Sequence, residues 1–261
     1  MELLMELLNV DNITMKFGGL TAVNNFKLKI SPGELVGLIG PNGAGKTTVF
    51  NMITGIYTPT MNKIYFQDRD ITGIKPDKIA KAGVARTFQN IRLLENLTVI
   101  DNVMIGFHLH LKSNLASAIL KFPNYVREEE SIYHKSTELL EKVELEKYKL
   151  EKAGSLPYGQ QRKLEIVRAL ATGPKLLLLD EPAAGMNPQE TKDLMSFIQR
   201  IQDDFNLTIL LIEHDMKVVM GICRRILVMD YGVTIAEGNP IEIQNNSEVI
   251  KAYLGVDTNY A

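Results

Sequence analysis

The chain has 261 residues, 45% of them hydrophobic and 23% charged, which is typical of a globular protein with one large domain or two lobes. The formal net charge is -2, so no overall positive field would attract a nucleic acid. The single cysteine, Cys223, excludes an intrachain disulfide, and no apolar run reaches the length of about 18 residues that predicts a membrane span.

The first predicted elements are strands over residues 7–17 and 25–30, and a third apolar run at residues 35–39 has the composition of a buried strand. The apolar run at the N-terminus is short and acidic, and it lacks the positive end of a signal peptide. Both Met1 and Met5 are compatible with the start of the protein.

The most specific motif follows the third strand. Residues 40–48, GPNGAGKTT, fit the phosphate-loop pattern G-x-x-x-x-G-K-[ST] and lead into a predicted helix. Glycines allow successive backbone N–H groups to face phosphate oxygens, and the helix start adds positive charge. Lys46 suits the β- and γ-phosphates, and the Thr47 hydroxyl suits Mg²⁺. The candidate nucleotide-binding residues are Gly40, Pro41, Asn42, Gly43, Ala44, Gly45, Lys46, Thr47 and Thr48.

Two residues outside the loop carry weaker signals. Phe17 lies upstream of the loop, where a nucleotide base could stack on its ring, but a place in the core explains it equally well. Gln89 ends the segment GVARTFQ, which follows a strand predicted over residues 63–67 and a short helix over residues 76–83. A single glutamine is most often a surface residue, so its role stays open on this ground.

From about residue 91 to residue 150 the pattern becomes helical. One apolar stripe predicts a helix that Pro123 ends, and a second helix is predicted over residues 127–145. Packing within a helical lobe is favoured over a membrane-surface helix, because the polar positions beside the stripe are not strongly basic. The stripe consists of Leu111, Leu115, Ala118, Ile119 and Phe122.

A pair of carboxylates ends the next predicted strand. Four leucines at residues 176–179 run into Asp180 and Glu181, which indicates a buried parallel strand with acids at its ligand-binding end. Asp180 is suited to hold Mg²⁺, and Glu181 to polarise a water for attack on a γ-phosphate. The alternative is a surface acidic pair. A further strand, residues 208–212, ends beside His214, which is either structural or a contact to the same phosphate.

In this order the motifs resemble the ATP-binding-cassette (ABC) ATPases, over nearly the whole chain. The resemblance implies an α/β fold of the P-loop NTPase type, in which a mixed-sheet core lobe carries an antiparallel β subdomain and a helical subdomain. It implies a single ABC ATPase domain divided into a core with the β subdomain, residues 1–90 and 165–261, and a helical subdomain with the signature motif, residues 91–164.

The resemblance also implies roles for the candidate residues. Phe17 would stack on the base, Glu181 would be the general base, and His214 would be the switch histidine. Gln89 would sense Mg²⁺ or water and face a transmembrane partner. Thr47, Gln89 and Asp180 would hold the metal, and ATP bound by a second chain would meet the signature residues Leu156, Tyr158, Gly159 and Gln160.

Two departures from the family pattern concern contacts between chains. Pro157 and Tyr158 replace a serine and a glycine of the usual signature, and Pro157 offers a phosphate neither a hydroxyl nor an N–H. Binding there would rest on Gly159 and the helix start. Asn187 stands where an aspartate is usual, so a contact across the interface would be neutral.

Within the family the closest likeness is to the ATPases of branched-chain amino-acid importers, carried by residues 83–90, 158–162, 180–188 and 212–216. It implies an ATP- and Mg²⁺-dependent ATPase at the cytoplasmic face of the membrane. The implied partners are two membrane permease subunits, a second identical or related ATPase subunit and, indirectly, an extracytoplasmic solute-binding protein. No nucleic-acid partner is expected.

Two other functions stay open at this stage. An exporter ATPase, for instance one that exports lipopolysaccharide, shares much of the core. A soluble cassette protein acting on ribosomes or DNA is less favoured, because the sequence shows neither a second phosphate loop nor a long coiled-coil insertion. The amino acid transported and the identity of the second ATPase cannot be derived from these residues.

Overall fold

The computed structural model describes residues 6–111 and 122–254, which form two β-sheets with helices packed around them. The strands are β1 (Leu8–Phe17), β2 (Leu20–Ile30), β3 (Leu35–Ile39), β4 (Met61–Phe66), β5 (Arg69–Asp70), β6 (Val84–Arg86), β7 (Leu176–Asp180), β8 (Thr208–Ile212), β9 (Arg225–Asp230) and β10 (Val233–Gly238). The α-helices are α1 (Lys46–Ile53), α2 (Pro76–Ala82), α3 (Val99–Phe107), α4 (Pro123–Lys142), α5 (Tyr158–Leu170), α6 (Pro188–Phe205), α7 (Met216–Ile222), α8 (Pro240–Gln244) and α9 (Ser247–Leu254).

The smaller sheet is antiparallel and has the strand order β2-β1-β4-β5. It confirms the strands predicted over residues 7–17 and 25–30. Strand β2 begins earlier than predicted, directly after the two glycines at residues 18 and 19. Phe26, Leu28 and Ile30 alternate with exposed residues and are buried, as expected for a strand with one face on the core.

The larger sheet has the strand order β10-β9-β3-β8-β7-β6 and is parallel except for the β9–β10 hairpin. All five residues of β3, β7 and β8 are buried, which explains their unbroken apolar runs. Parallel strands end at a common edge. The phosphate loop after β3, the acids ending β7 and His214 after β8 therefore lie along one edge of this sheet.

Helices α3, α4 and α5 pack together beside the larger sheet. Helix α4 begins at Pro123, directly after the predicted stripe. In the first turn of a helix the missing N–H of proline costs nothing. Residues 112–121, which carry most of that stripe, lie outside the described residues. The predicted boundary at residues 164 and 165 falls inside α5, so this helix belongs to both predicted parts.

Several elements of the structure were not predicted from sequence, among them β6 and α6. Strand β6 is only three residues long, too short for an alternating pattern to be recognised. Helix α6 does carry a recognisable signal, because its buried residues recur at helical spacing. Those residues are Leu194, Phe197, Ile198 and Ile201. Within residues 6–111 and 122–254, no helix is both long and apolar enough to span a membrane.

Candidate active site

The phosphate loop lies between the buried strand β3 and helix α1, as its motif predicts. Gly40 and Gly45 have φ values of 149° and 102°, in the region that favours glycine. A Cβ at Gly45 would lie 2.7 Å from the carbonyl oxygen of Ala22, and one at Gly40 would overlap the carbonyl oxygen of Met229. The loop is therefore closely packed against its neighbours, and only glycine fits at these two positions.

Lys46 begins helix α1 and is 6% exposed. Its Nζ donates to the carbonyl oxygens of Gly40 and Pro41, at 2.7 and 3.0 Å. Burial lowers the pKa of Lys46, while the nearby carboxylates of Glu181 and Asp180 act in the opposite direction. The ammonium is thus held against the loop, at the position from which it can bind phosphate oxygens.

A cavity of about 290 Å³ opens over the loop. Residues 42–48 form its floor, and Glu181, Tyr231 and the start of β2 line its walls. Phe17 is not among the lining residues; its ring packs edge-on against Tyr57, with 5.2 Å between the centroids. The ring is 42% exposed, so its role as a platform for the base stays a prediction.

Asp180, the last residue of β7, forms a buried ion pair that sequence analysis missed. Its Oδ2 accepts from Nη2 of Arg86 at 2.7 Å, and both side chains are only 7% exposed. Nη1 of Arg86 donates to Oδ1 of Asn51 on α1, also at 2.7 Å. Arg86 therefore joins the metal-binding candidate Asp180 to the helix that follows the phosphate loop.

Three of the predicted site residues meet at one carboxylate. Glu181 lines the cavity, and its Oε2 accepts from Nε2 of Gln89 at 2.7 Å. Nδ1 of His214 lies 3.5 Å from the same oxygen. Glu181 has a φ of 44°, a left-handed conformation that is uncommon for residues other than glycine and that is frequent at functional sites.

Glu213 supports this arrangement and was not predicted. It is fully buried, and its Oε1 accepts from the N–H of Ala183 at 2.8 Å. Its Oε2 accepts from the N–H of His214 at 3.1 Å. Burial raises the pKa of Glu213, and these N–H donors oppose the shift. Glu213 thereby fastens the turn that carries Glu181 to the end of β8.

The signature residues lie at the start of α5 and outside the lining of the cavity over the phosphate loop. Leu156 is buried, while Tyr158 is 40% exposed and its hydroxyl donates to the carbonyl oxygen of Ala184 at 3.0 Å. Gly159 and Gln160 form the first turn with Pro157 as the N-cap residue. The chain therefore does not bring its own signature to its own phosphate loop.

Asn187 has a role within the chain that the sequence did not indicate. Its side-chain oxygen accepts from the N–H groups of Gln189 and Glu190, each at 3.0 Å, and so caps helix α6. The N–H of Asn187 in turn donates to the Glu190 carboxylate at 3.1 Å. This capping box is sufficient to account for an asparagine at that position.

A phosphate loop after one strand of a parallel sheet, with acids ending another strand at the same edge, defines a P-loop nucleotide-binding protein. A model of the ABC transporter family matches residues 23–184, and one described as branched-chain amino acid ATP-binding cassette transporter matches residues 233–258. The chain belongs to the ABC transporter family, and it is an ATPase of that family.

Relatives of known name and structure support this membership. The chain is 49% identical over 249 residues to the high-affinity branched-chain amino acid transport ATP-binding protein LivG of Escherichia coli (strain K12), covering 95% of this chain and 98% of LivG. The crystal structure of the ADP conformation of an ATP-binding cassette of an ABC transporter is 33% identical, with a TM-score of 0.85, and covers 97% of this chain and 100% of that one.

A second solved structure is of a dimer. It is the post-hydrolysis state of an ATP-binding cassette bound to ADP and Pi, 25% identical to this chain with a TM-score of 0.72. The match covers 89% of this chain and 98% of that one.

Proposed function

We propose that this chain is the ATP-hydrolysing subunit of a membrane importer of branched-chain amino acids. The observation that carries the proposal is the 49% identity to LivG along 95% of the chain. The match of residues 233–258 to the branched-chain model supports it separately, because that segment includes β10 and helices α8 and α9, beyond the phosphate loop and the acidic pair.

In this proposal each residue of the site has a separate role in ATP binding or hydrolysis. Lys46 and the loop N–H groups bind the phosphates, and Glu181 accepts a proton from the attacking water. His214 holds Glu181 in place through Oε2 of the carboxylate, and Gln89 contacts the same oxygen and senses the metal or water there. The ring of Phe17, at the end of β1, stacks on the nucleotide base.

The residues present fit a Mg²⁺ ion bound together with ATP. Thr47 is exposed and lines the cavity, and Asp180 ends β7 directly before the lining residue Glu181. Their hydroxyl and carboxylate oxygens are the kind of ligand that Mg²⁺ prefers. Within residues 6–111 and 122–254, no cluster of three or more His, Cys, Asp or Glu residues could hold a metal unaided. The ion would therefore be held largely by the phosphates, whose charge it would neutralise.

We propose that two ATPase subunits act together, each placing its signature on the ATP of the other. The position of the α5 start, outside the lining of the chain's own cavity, supports this arrangement. The dimeric relative supports it as well. Gly159 and the free N–H groups of the first turn would supply the contact to phosphate, since Pro157 has no N–H.

The permease subunits are proposed to bind at a second cavity, about 500 Å³, beside the segment that carries Gln89. It lies between α2, β6, α3 and α5, and Phe88 contributes to its wall. Its apolar lining suits a short apolar segment of a membrane protein that lies at the cytoplasmic face. The apolar lining residues include Ile56, Ile79, Val84, Ala85, Ile105 and Leu109.

The division into a core with the β subdomain, residues 1–90 and 165–261, and a helical subdomain, residues 91–164, is part of the same proposal. In it, the helical part carries the signature, and the permease cavity lies between the helical part and the core. A movement of the permease would then reach the signature of the same chain through α3 and α5, which pack on each other.

The test of the proposed function is uptake of leucine at low concentration in a strain that lacks this chain and any redundant importer. Uptake should be lost on deletion and restored by the wild-type chain. Lys46→Ala should fail to restore it, while Lys27→Ala, at an exposed lysine on β2, should succeed. Normal uptake in the deletion strain would refute the proposal that the substrate is a branched-chain amino acid. Accumulation of an envelope lipid on the wrong side of the membrane would indicate an exporter instead.

A further inference from the structure

A closed ring of hydrogen bonds joins the start of α5 to Gln89 and Glu181. The Tyr158 hydroxyl donates to the carbonyl oxygen of Ala184, at 3.0 Å. Nη2 of Arg162 donates to the carbonyl oxygen of Gln89 at 2.6 Å and lies 3.4 Å from the Tyr158 hydroxyl. The Gln89 side chain donates to Glu181 at 2.7 Å, and the N–H of Ala184 donates to the carbonyl oxygen of Glu181 at 3.2 Å.

Arg162 fixes the main chain around Gln89 to helix α5. It is wholly buried, and its Nη1 donates to the carbonyl oxygen of Phe88 at 2.7 Å and to Glu165 at 2.8 Å. Glu165 in turn accepts from the N–H of Arg92 at 3.1 Å. A guanidinium and a carboxylate of one helix thus hold three main-chain groups of residues 88–92, so this segment follows any movement of α5.

The Gln89 side chain restrains the proposed general base. It donates to Oε2 of Glu181, the same oxygen that lies 3.5 Å from His214. A carboxylate oxygen that already accepts hydrogen bonds from protein groups is less available to accept a proton from water. Water activation by that oxygen therefore requires the Gln89 side chain to move away.

Tyr158 opposes this movement. Its hydroxyl bonds the first turn of α5 to Ala184, three residues after Glu181. The start of α5 and the turn that follows Glu181 are therefore held together. The family's usual glycine at this position has no hydroxyl and cannot form this bond. Gly159, the neighbouring residue, is the one proposed to meet the nucleotide of the second subunit, so that nucleotide would act directly beside the Tyr158 bond.

We propose that Tyr158 and Arg162 are positioning residues that hold Gln89 on Glu181 until the start of α5 moves. Tyr158 binds the start of α5 to the turn that follows Glu181, and Arg162 transmits a displacement of α5 to Gln89. The inference rests on the proposed role of Glu181 as the base. Its consequence is that engagement of the signature by the second subunit frees the base of the same chain.

The decisive variant is Tyr158→Phe, assayed in the intact transporter complex at saturating ATP without transported amino acid. The side chain is 40% exposed, so the loss of its hydroxyl should leave the fold intact. The turnover number should rise about fivefold, as expected for the loss of one neutral hydrogen bond that holds the resting state, with the KM for ATP unchanged. Tyr133→Phe, equally exposed on α4, should change neither value.

The route through Gln89 is tested by a double-mutant cycle read by single-turnover hydrolysis. In the Gln89→Ala background, Tyr158→Phe should have no further effect, because the contact that it loosens is gone. An equal gain in both backgrounds would overturn the proposal, since a general loosening of α5 would produce it. Arg162→Lys, which keeps the charge but not the fork between two carbonyls, should behave as Tyr158→Phe does, and if it does not fold the Tyr158→Phe cycle decides alone.

The Glu181→Gln complex supplies the baseline, because the turnover that remains in it does not use Glu181 as the base. If that complex hydrolyses ATP as fast as the wild type, Glu181 is not the base and the proposed chemistry fails. If its turnover falls and Tyr158→Phe does not exceed Tyr133→Phe, the positioning proposal alone is overturned.

Discussion

Replacement of Arg86 by methionine is predicted to destabilise the protein strongly. The guanidinium pairs with Asp180 at 2.7 Å, and both side chains are 7% exposed. It also donates to Asn51 and lies over the rings of Phe50 and Phe88, 5.4 and 5.3 Å from their centroids. Arg86→Met keeps the length of the side chain but leaves the Asp180 carboxylate buried without its ion-pair partner, which costs about 3–5 kcal/mol.

Thermal unfolding of the purified chain measures this loss. For a chain of this size, about 3 kcal/mol corresponds to a fall in Tm of about 10 °C. Arg69→Met, at an exposed arginine of β5, should move the Tm by only about 2 °C or less. Asp180→Asn added to Arg86→Met should recover part of the loss, because no buried charge then remains unpaired. Equal Tm values for Arg86→Met and Arg69→Met would refute the reasoning.

Three other variants test the site and its surroundings. Glu181→Gln should retain ATP binding and lower turnover by about 100-fold or more, and near-normal turnover would exclude Glu181 as the base. Lys46→Ala should weaken ATP binding about tenfold or more in a direct titration, and an unchanged affinity would show that Lys46 does not hold the phosphates. Ile105→Glu should reduce co-purification of the permease subunits, whereas Leu150→Glu, at a residue 76% exposed, should not; equal recovery would rule out the proposed surface.

The parts of the fold that could be predicted from the sequence are those whose burial leaves a local pattern. Strands β3, β7 and β8 are buried along their whole length, so each appears as a run of apolar residues with few other interpretations. Their order along the chain then places the phosphate loop, Glu181 and His214 at one sheet edge. The geometry agrees, because Glu181 lines the cavity over the loop and lies 3.5 Å from His214.

The residues that fix the site left no such pattern. Arg86 is 94 positions from Asp180, and Arg162 is 73 positions from Gln89, so neither contact is visible to arguments about spacing. An isolated arginine in a sequence indicates a surface residue, because arginine is seldom fully buried. Phe17 was ambiguous for the same reason, since its packing against Tyr57 depends on how the first sheet meets the segment after α1.

Both buried arginines are arranged to suit the site more than the stability of the fold. A buried ion pair is a weak source of stability, because desolvation of both charges offsets their attraction. Within the described residues, Nε of Arg86 and Nε of Arg162 are buried without a hydrogen-bond partner, which adds a further cost. What each guanidinium does supply is a rigid fork of donors to groups that must keep a fixed geometry, Asp180 for the one and residues 88–89 for the other. Apolar replacement of both Arg162 and Glu165 should therefore lower the Tm less than apolar replacement of Arg162 alone, which leaves Glu165 buried without its ion-pair partner. In both variants the response of Gln89 to the signature helix should be lost.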